Sequence, residues 1–239
     1  MAPNIAAGKD RPLGPFVDAR PAKRPQRVTL EGRFVKLTPL NAAAHADALF
    51  EAANGGAKDQ VWDYLFDGPY TDRVEFRANI EAKAKSDDPL FFAVIDKASG
   101  APVGYQTFLR IEPDHRVIEV GNILYTLAMQ RTPAATEAQY LFARYVFDDL
   151  GYRRYEWKCN ALNAPSRRAA LRLGFTFEGV FRQHVIVKGR NRDTAWYSML
   201  DHEWPARRAA FERWLAPENF DANGRQIVAL STLNEAPPS

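Results

Sequence analysis

The 239 residues are 46% hydrophobic and 26% charged, an ordinary balance for a globular protein and enough for one large core or two small ones. No run approaches the roughly 18 apolar residues of a membrane span, and the opening "MAPNIAAGKDRPLGP" lacks the apolar stretch of a signal peptide, so a cytoplasmic protein is expected. The single cysteine, Cys159, excludes an internal disulfide framework, and without a Cys/His cluster at ligand spacing no metal site is expected.

Charge is unevenly placed along the chain. The first 30 residues hold six basic residues, two acidic ones and five prolines, which leaves only −1 of the overall +3 for the rest. Residues 1–27 therefore read as an extended basic, Pro-rich arm, a solvated linker in preference to an RNA- or ribosome-binding segment. Beyond it, "RVTLEGRFVKLTPL" alternates about a glycine and predicts a first strand or hairpin. Helices are expected over Ala42–Ala53 and Asp72–Ser86, followed by the hairpin "LFFAVIDKASGAPVGYQTFLRI" and an adjoining strand "RVIEVGNILYT". A helix from about Ala134 to Leu150, the strand "RRYEWKCNAL", a short helix over Pro165–Leu173 and a long hairpin turning at Gly189 complete the domain, 28–200. Residues 201–239 predict a C-terminal helix and tail that, with the long N-terminal arm, would wall a site.

An antiparallel meander giving way to strand, helix and strand implies an α+β fold with a mixed, mostly antiparallel sheet, because strands joined across a helix usually run parallel. Ligands in such sheets lie beyond the carboxyl ends of the parallel strands, facing helix N-termini. "QRTPAATEA", Gln130–Ala138, stands at that position. The first N–H groups of a helix have no partners of their own and, with the helix dipole, favour a phosphate. Ala134 and Ala135 keep the wall low, Pro133 suits the first helical position, and Arg131 and the Thr136 hydroxyl add side-chain donors. The same residues also describe a plain helix start capped by Thr132.

The order of "EVGNILY", "QRTPAATEA", "DLGYRRYEWKCNALN", "NAPSRRAALRLGFTFEGVFR" and "GRNRDTAWYSML" resembles the GNAT N-acetyltransferase superfamily, in particular its RimJ/RimL branch. The resemblance spans about Val28 to Leu200 and is strongest from Glu119 to Met199. It implies a central sheet with one splayed parallel pair flanked by helices. It also implies direct acetyl transfer from acetyl-CoA to a primary amine, either a protein N-terminus or a small molecule. "QRTPAAT" occupies the family's pyrophosphate loop, Q/R-x-x-G-x-G/A, with Pro133 in place of the first glycine and Ala135 at the second Gly/Ala position. Pyrophosphate donors would come from Arg131, Thr132, Ala134, Ala135 and Thr136. Backbone near Asn122, Ile123 and Leu124 would hold the pantetheine arm and polarise the thioester carbonyl, with Asn163 also on the cofactor arm and a capping residue as well.

Attack by an amine requires a base, and departure of the thiolate requires an acid. Glu119 is the candidate base, with Glu156 on the neighbouring strand as the second choice. Many relatives place a tyrosine acid seven residues after the helix-opening Asn, where this chain has Ala170, so Ser166 is the candidate acid. Cys159 reads as a small buried hydrophobe, and His184 as a sheet-surface residue. Arg153, Arg154, Arg167 and Arg168 are either adenosine-phosphate contacts or solvated helix ends. The resemblance leaves open a homodimer, a catalytically silent acyl-CoA-binding module, and an RNA or ribosome binder on the same scaffold.

Overall fold

Gly32 joins the two short strands of the first hairpin, β1 (Leu30–Glu31) and β2 (Val35–Pro39), and a Cβ there would overlap the carboxylate of Glu137. That carboxylate accepts from three backbone N–H groups of the turn, Arg33 at 2.7 Å, Phe34 at 2.6 Å and Val35 at 2.9 Å. The hairpin is thereby fastened to α3 (Pro133–Arg144), about a hundred residues later in the chain. The computed structural model describes residues 13–235.

α1 (Ala42–Ala53) begins at Asn41, whose side chain accepts from the Ala44 N–H, and α2 (Arg73–Lys85) begins at Asp72, which accepts from Val74 and Glu75. Between them lies a short 3₁₀ segment, Gly56–Trp62, that the sequence reading did not anticipate. These helices bury Leu49, Phe76, Ile80 and Trp62 on one face of the sheet, against Phe91, Ala93, Tyr105 and Leu124.

The remaining strands are β3 (Leu90–Asp96), β4 (Pro102–Glu112), β5 (Val117–Tyr125), β6 (Arg154–Asn160), β7 (Thr176–Val187) and β8 (Arg190–Leu200). They form one eight-stranded sheet in the order β1-β2-β3-β4-β5-β6-β8-β7. Every neighbouring pair is antiparallel except β5 and β6. The expected α+β fold with one parallel pair is therefore present.

On the second face α3 lays Phe142 flat on Phe108, with ring centroids 3.8 Å apart, and edge-on to Phe92 at 5.3 Å. The helix expected to reach Leu150 is regular only to Arg144 and then widens into a π turn, Tyr145–Asp149, in which the Leu150 N–H donates to the Tyr145 carbonyl. Such a turn sets Asp148 to accept from the indole of Trp204 at 2.7 Å. That residue opens α5 (Trp204–Leu215), which packs against α3 through stacking of Trp204 on Phe147 and contact of Tyr140 with Phe211. α4 (Ala164–Arg172) and α6 (Leu230–Glu235) share this face.

The N-terminal arm from Asp18 to Arg27 runs without helix or strand. It is held on the body: the Ala22 N–H donates to Pro113, Lys23 to Leu150 and Gln26 to the Tyr145 hydroxyl. The part of the arm before residue 13 lies outside the described residues.

Candidate active site

β5 and β6 are registered side by side only from Val117 to Val120 and from Arg154 to Trp157. Beyond that point each strand keeps one partner, β4 for β5 and β8 for β6, so the parallel pair splays apart. A bulge lies at the same place: between the Thr107–Gly121 and Tyr105–Leu124 pairs, Asn122 and Ile123 together oppose the single Gln106. Asn122 takes a left-handed conformation with φ 46°, which short polar side chains tolerate better than branched ones. Below the bulge, Gln139 of α3 donates to Gln106 at 2.9 Å and to the Tyr125 hydroxyl at 2.7 Å, a buried polar cluster that fixes α3 against β5. Asn122, Ile123 and Leu124 thus lie together at the opening of the splay.

The expected loop feeds α3. Arg131 is exposed with φ 62° and Thr132 is the N-cap. The Thr132 hydroxyl donates to the Met129 carbonyl at 2.7 Å and accepts from the Ala135 N–H at 3.3 Å. Of the first four backbone positions, Pro133 has no N–H and Ala135 serves the cap, leaving Thr132 and Ala134 without an intrahelical acceptor. The Thr136 side chain is buried, and its hydroxyl accepts from Arg172 Nη1 at 3.0 Å instead of facing the loop. Arg172, half-buried over the Trp214 ring, has no carboxylate partner among the described residues and places a positive charge beside this turn. Sequence reading missed it because it stands 36 residues from Thr136, on another helix.

At the start of α4, Asn163 accepts from the Ser166 N–H at 3.1 Å as a helix cap. The Ser166 hydroxyl accepts from Trp157 Nε1 at 3.0 Å, which directs its own proton away from the indole. Cys159 stands beside it, with burial pushing its thiol pKa up, the behaviour of an inert core thiol. Ala170 is fully buried in the core, where no tyrosine hydroxyl could stand in its place.

Strand alternation puts Glu119 on the opposite face from Ser166, since Ile118, Val120, Trp157 and Cys159 all point into the α3 core. Glu119 and Glu156 are register partners, and Lys158 Nζ donates to both, at 2.8 Å and 2.6 Å. Arg110 lies 3.3 Å from Glu119, and Arg154 bonds both Glu156 and Glu178. Burial raises the pKa of Glu119 above its ordinary value, against the opposing pull of Lys158. Arg154 is committed to this network and is not an open phosphate contact, and Arg167 is turned to the Tyr197 hydroxyl at 3.2 Å. His184 stands half-buried on the sheet surface, 3.0 Å from the Thr194 hydroxyl and packed against Phe181 and Trp196. With Phe181, Arg182 and Gln183 it lines an open groove of about 800 Å³. The C-terminal helix α5, expected to wall a site, covers α3 on the face away from Glu119 and so does not wall the Glu119 side of the sheet. The Glu119 face is approached instead by the loop following Trp62, where Phe66 lies over Arg192.

Residues 35–176 match the family model described as Acetyltransferase (GNAT) domain. The chain belongs to the GNAT acetyltransferase family. A GCN5-related N-acetyltransferase from Brucella melitensis is 55% identical, with a TM-score of 0.89 over 91% of this chain and 98% of that one. A probable acetyltransferase (GNAT family) from Chromobacterium violaceum ATCC 12472 is 38% identical, with a TM-score of 0.76 over 82% and 98%. The uncharacterized N-acetyltransferase p20 of Bacillus licheniformis is 27% identical over 155 residues, 61% of this chain and 83% of that protein.

GNAT membership implies acetyl transfer, and the family uses acetyl-CoA. The residues present fit such a donor: the unpaired N–H groups of Thr132 and Ala134 and the charges of Arg131 and Arg172 suit phosphate, and the open edge of β5 past Val120 suits an amide-bearing arm. Pro133, in place of the first glycine of this GNAT loop, leaves it one backbone donor fewer than its pattern would supply. Among the described residues no group of three His, Cys, Asp or Glu side chains could hold a metal, and no helix is long and apolar enough to cross a membrane.

Proposed function

We propose that the protein is an acetyl-CoA-dependent N-acetyltransferase of the RimJ/RimL branch, acting in the cytoplasm on the primary amine of a peptide N-terminus or a small molecule. The observation that carries this reading is the end of the β5–β6 ladder at Val120 and Trp157, with a helix N-terminus and Ser166 on one side and the buried Glu119 on the other. When bound, acetyl-CoA supplies the activated acetyl thioester.

Each residue then has a task. Thr132 and Ala134 N–H groups, with Arg131 and Arg172, bind and neutralise the pyrophosphate. Backbone of Asn122, Ile123 and Leu124 holds the pantetheine amides and the thioester carbonyl, a role that needs donors fixed in place before reaction. Ala135 and Thr136 shape the helix entrance, and Asn163 both caps α4 and faces the cofactor arm. Glu119 takes a proton from the incoming ammonium, directly or through water, and its raised pKa brings it nearer to that of the amine. Ser166, fixed as an acceptor by Trp157, donates its proton toward the departing thiolate. A homodimer is compatible with this assignment, and nucleic acid has no role in it.

The test is direct. Acetyl-CoA at about a hundred times its dissociation constant should stabilise the fold by about 2.7 kcal/mol, with free acetate having no effect, and thioester should be consumed in the presence of an amine panel of peptides, amino acids and polyamines. Absence of any thermal shift at saturating acetyl-CoA would sink the assignment.

A further inference from the structure

The proposed chemistry leaves one buried cation unused. Arg192 is only 8% exposed, yet its side chain makes no hydrogen bond or ion pair with the described residues; its Nε is wholly enclosed, and its two terminal nitrogens are not. A buried charge without a partner is costly, and proteins normally match or neutralise it. The other buried cation of this region follows that rule, since Lys158 bridges Glu119 and Glu156. The three carboxylates of this network, Glu119, Glu156 and Glu178, are moreover matched before Arg192 is counted, by Lys158, Arg110 and Arg154. Arg192 is surplus positive charge.

Its location says what the surplus faces. Along β8, Arg192, Thr194 and Trp196 alternate with the core residues Ala195 and Tyr197, so they share the Glu119 and Lys158 face. The guanidinium lies 5.1 Å from the centroid of Phe66, on the loop that crosses this face. Opposite Arg192 and Thr194, β7 bulges at Arg182–His184, and this bulge lines the open groove. Glu119, a base for an amine, and Arg192, a planar fork with no anion to hold, therefore border one acceptor-side region.

We infer that the acceptor is an amine that also carries a carboxylate, and that Arg192 binds that carboxylate. This rests on the N-acetyltransferase reading and narrows it: amino acids and acidic peptides are accepted in preference to polyamines, whose second charge would meet Arg192, Arg110 and Lys158. A guanidinium suits the task because its parallel N–H groups match both oxygens of a carboxylate. Phe66, itself exposed, lies over one face of the guanidinium. The carboxylate is either the α-carboxylate of a free amino acid or an acidic side chain next to a peptide N-terminus.

Matched product pairs test this without relying on turnover. The full-length protein, saturated with coenzyme A, is titrated by calorimetry with N-acetylphenylalanine against its carboxamide, and with N-acetyl-Ser-Glu-amide against N-acetyl-Ser-Gln-amide. The acid of at least one pair should bind about tenfold or more tightly than its neutral partner, and the pair that does so identifies the source of the carboxylate. Arg192→Gln should erase that preference while leaving coenzyme A affinity unchanged. If Arg192→Gln does not fold, Arg192→Lys should reduce the preference severalfold, because an ammonium lacks the fork. Equal binding in both pairs, no binding by any of the four, or a preference that survives substitution of Arg192 overturns the inference. Failure of coenzyme A itself to bind overturns the activity instead, so the two failures are distinct.

Discussion

Glu119 is only 5% exposed, and that burial raises its pKa despite the Lys158 ammonium at 2.8 Å. Its folded-state proton is held more tightly than the unfolded one. The stability this contributes is fully present below the unfolded pKa and is lost as pH rises through the raised folded value. Glu119→Gln should therefore flatten the fall in stability across that window, as read by urea unfolding at several pH values, while Lys158 keeps Glu156 as its partner. In kinetics the same variant should lose most activity at low pH and recover in part as pH nears the amine pKa of about 8 for an α-amine. A pH–rate curve parallel to wild type would remove Glu119 from the mechanism. Ser166→Ala should lower kcat about tenfold with acetyl-CoA affinity nearly intact. It should also cost about 1–3 kcal/mol of stability, since the Trp157 indole loses its acceptor. The residue types at Glu119, Ser166 and Asn163 were legible through motif order alone. Arg192 and Arg172 were not, because an arginine in a sequence gives no sign of whether a carboxylate will meet it.

At the scale of the element, α3 does two jobs with successive side chains. Its first turn presents Thr132 and Ala134 N–H groups, and its second turn sends Glu137 to the β1–β2 turn. Ala135→Glu should nearly abolish acetyl-CoA binding with the fold intact, because it adds bulk and like charge where a pyrophosphate would sit; Pro133→Gly should bind equally or better. Normal binding by a folded Ala135→Glu variant would move the phosphate elsewhere. The strands and the helices α1 to α5 were readable, since alternation and capping residues such as Asn41 and Asp72 are local signals. The β5 bulge, the π turn after Arg144 and the 3₁₀ segment Gly56–Trp62 were not. Each arises where a partner element imposes a register or a contact that the local sequence prefers only weakly.

For the whole molecule, the clearest dependence is of the fold on its C-terminal helix. Trp204 is buried, stacks on Phe147 and donates to Asp148. Trp204→Ala should destabilise by about 3–5 kcal/mol, measured by chemical unfolding, with the residual acetyl-CoA affinity of the folded fraction retained because Trp204 packs on Phe147 and Asp148, at the opposite end of this helical segment from Thr132 and Ala134. A loss of cofactor binding larger than the loss of fold would show that the change reaches the site through Trp214 of the same helix, on which Arg172 lies. Taken by itself, the sequence determined the strand and helix order, the mixed sheet and the family resemblance, because periodicity, caps, turns and motif order are written along the chain. Only the tertiary structure decided which face α5 covers, where the parallel pair parts, that Thr136 turns to Arg172, and that Arg192 is buried without an anion. Those outcomes depend on residues far apart in sequence competing for the same neighbours, and burial turns an unmatched charge from an unremarkable surface feature into a costly one.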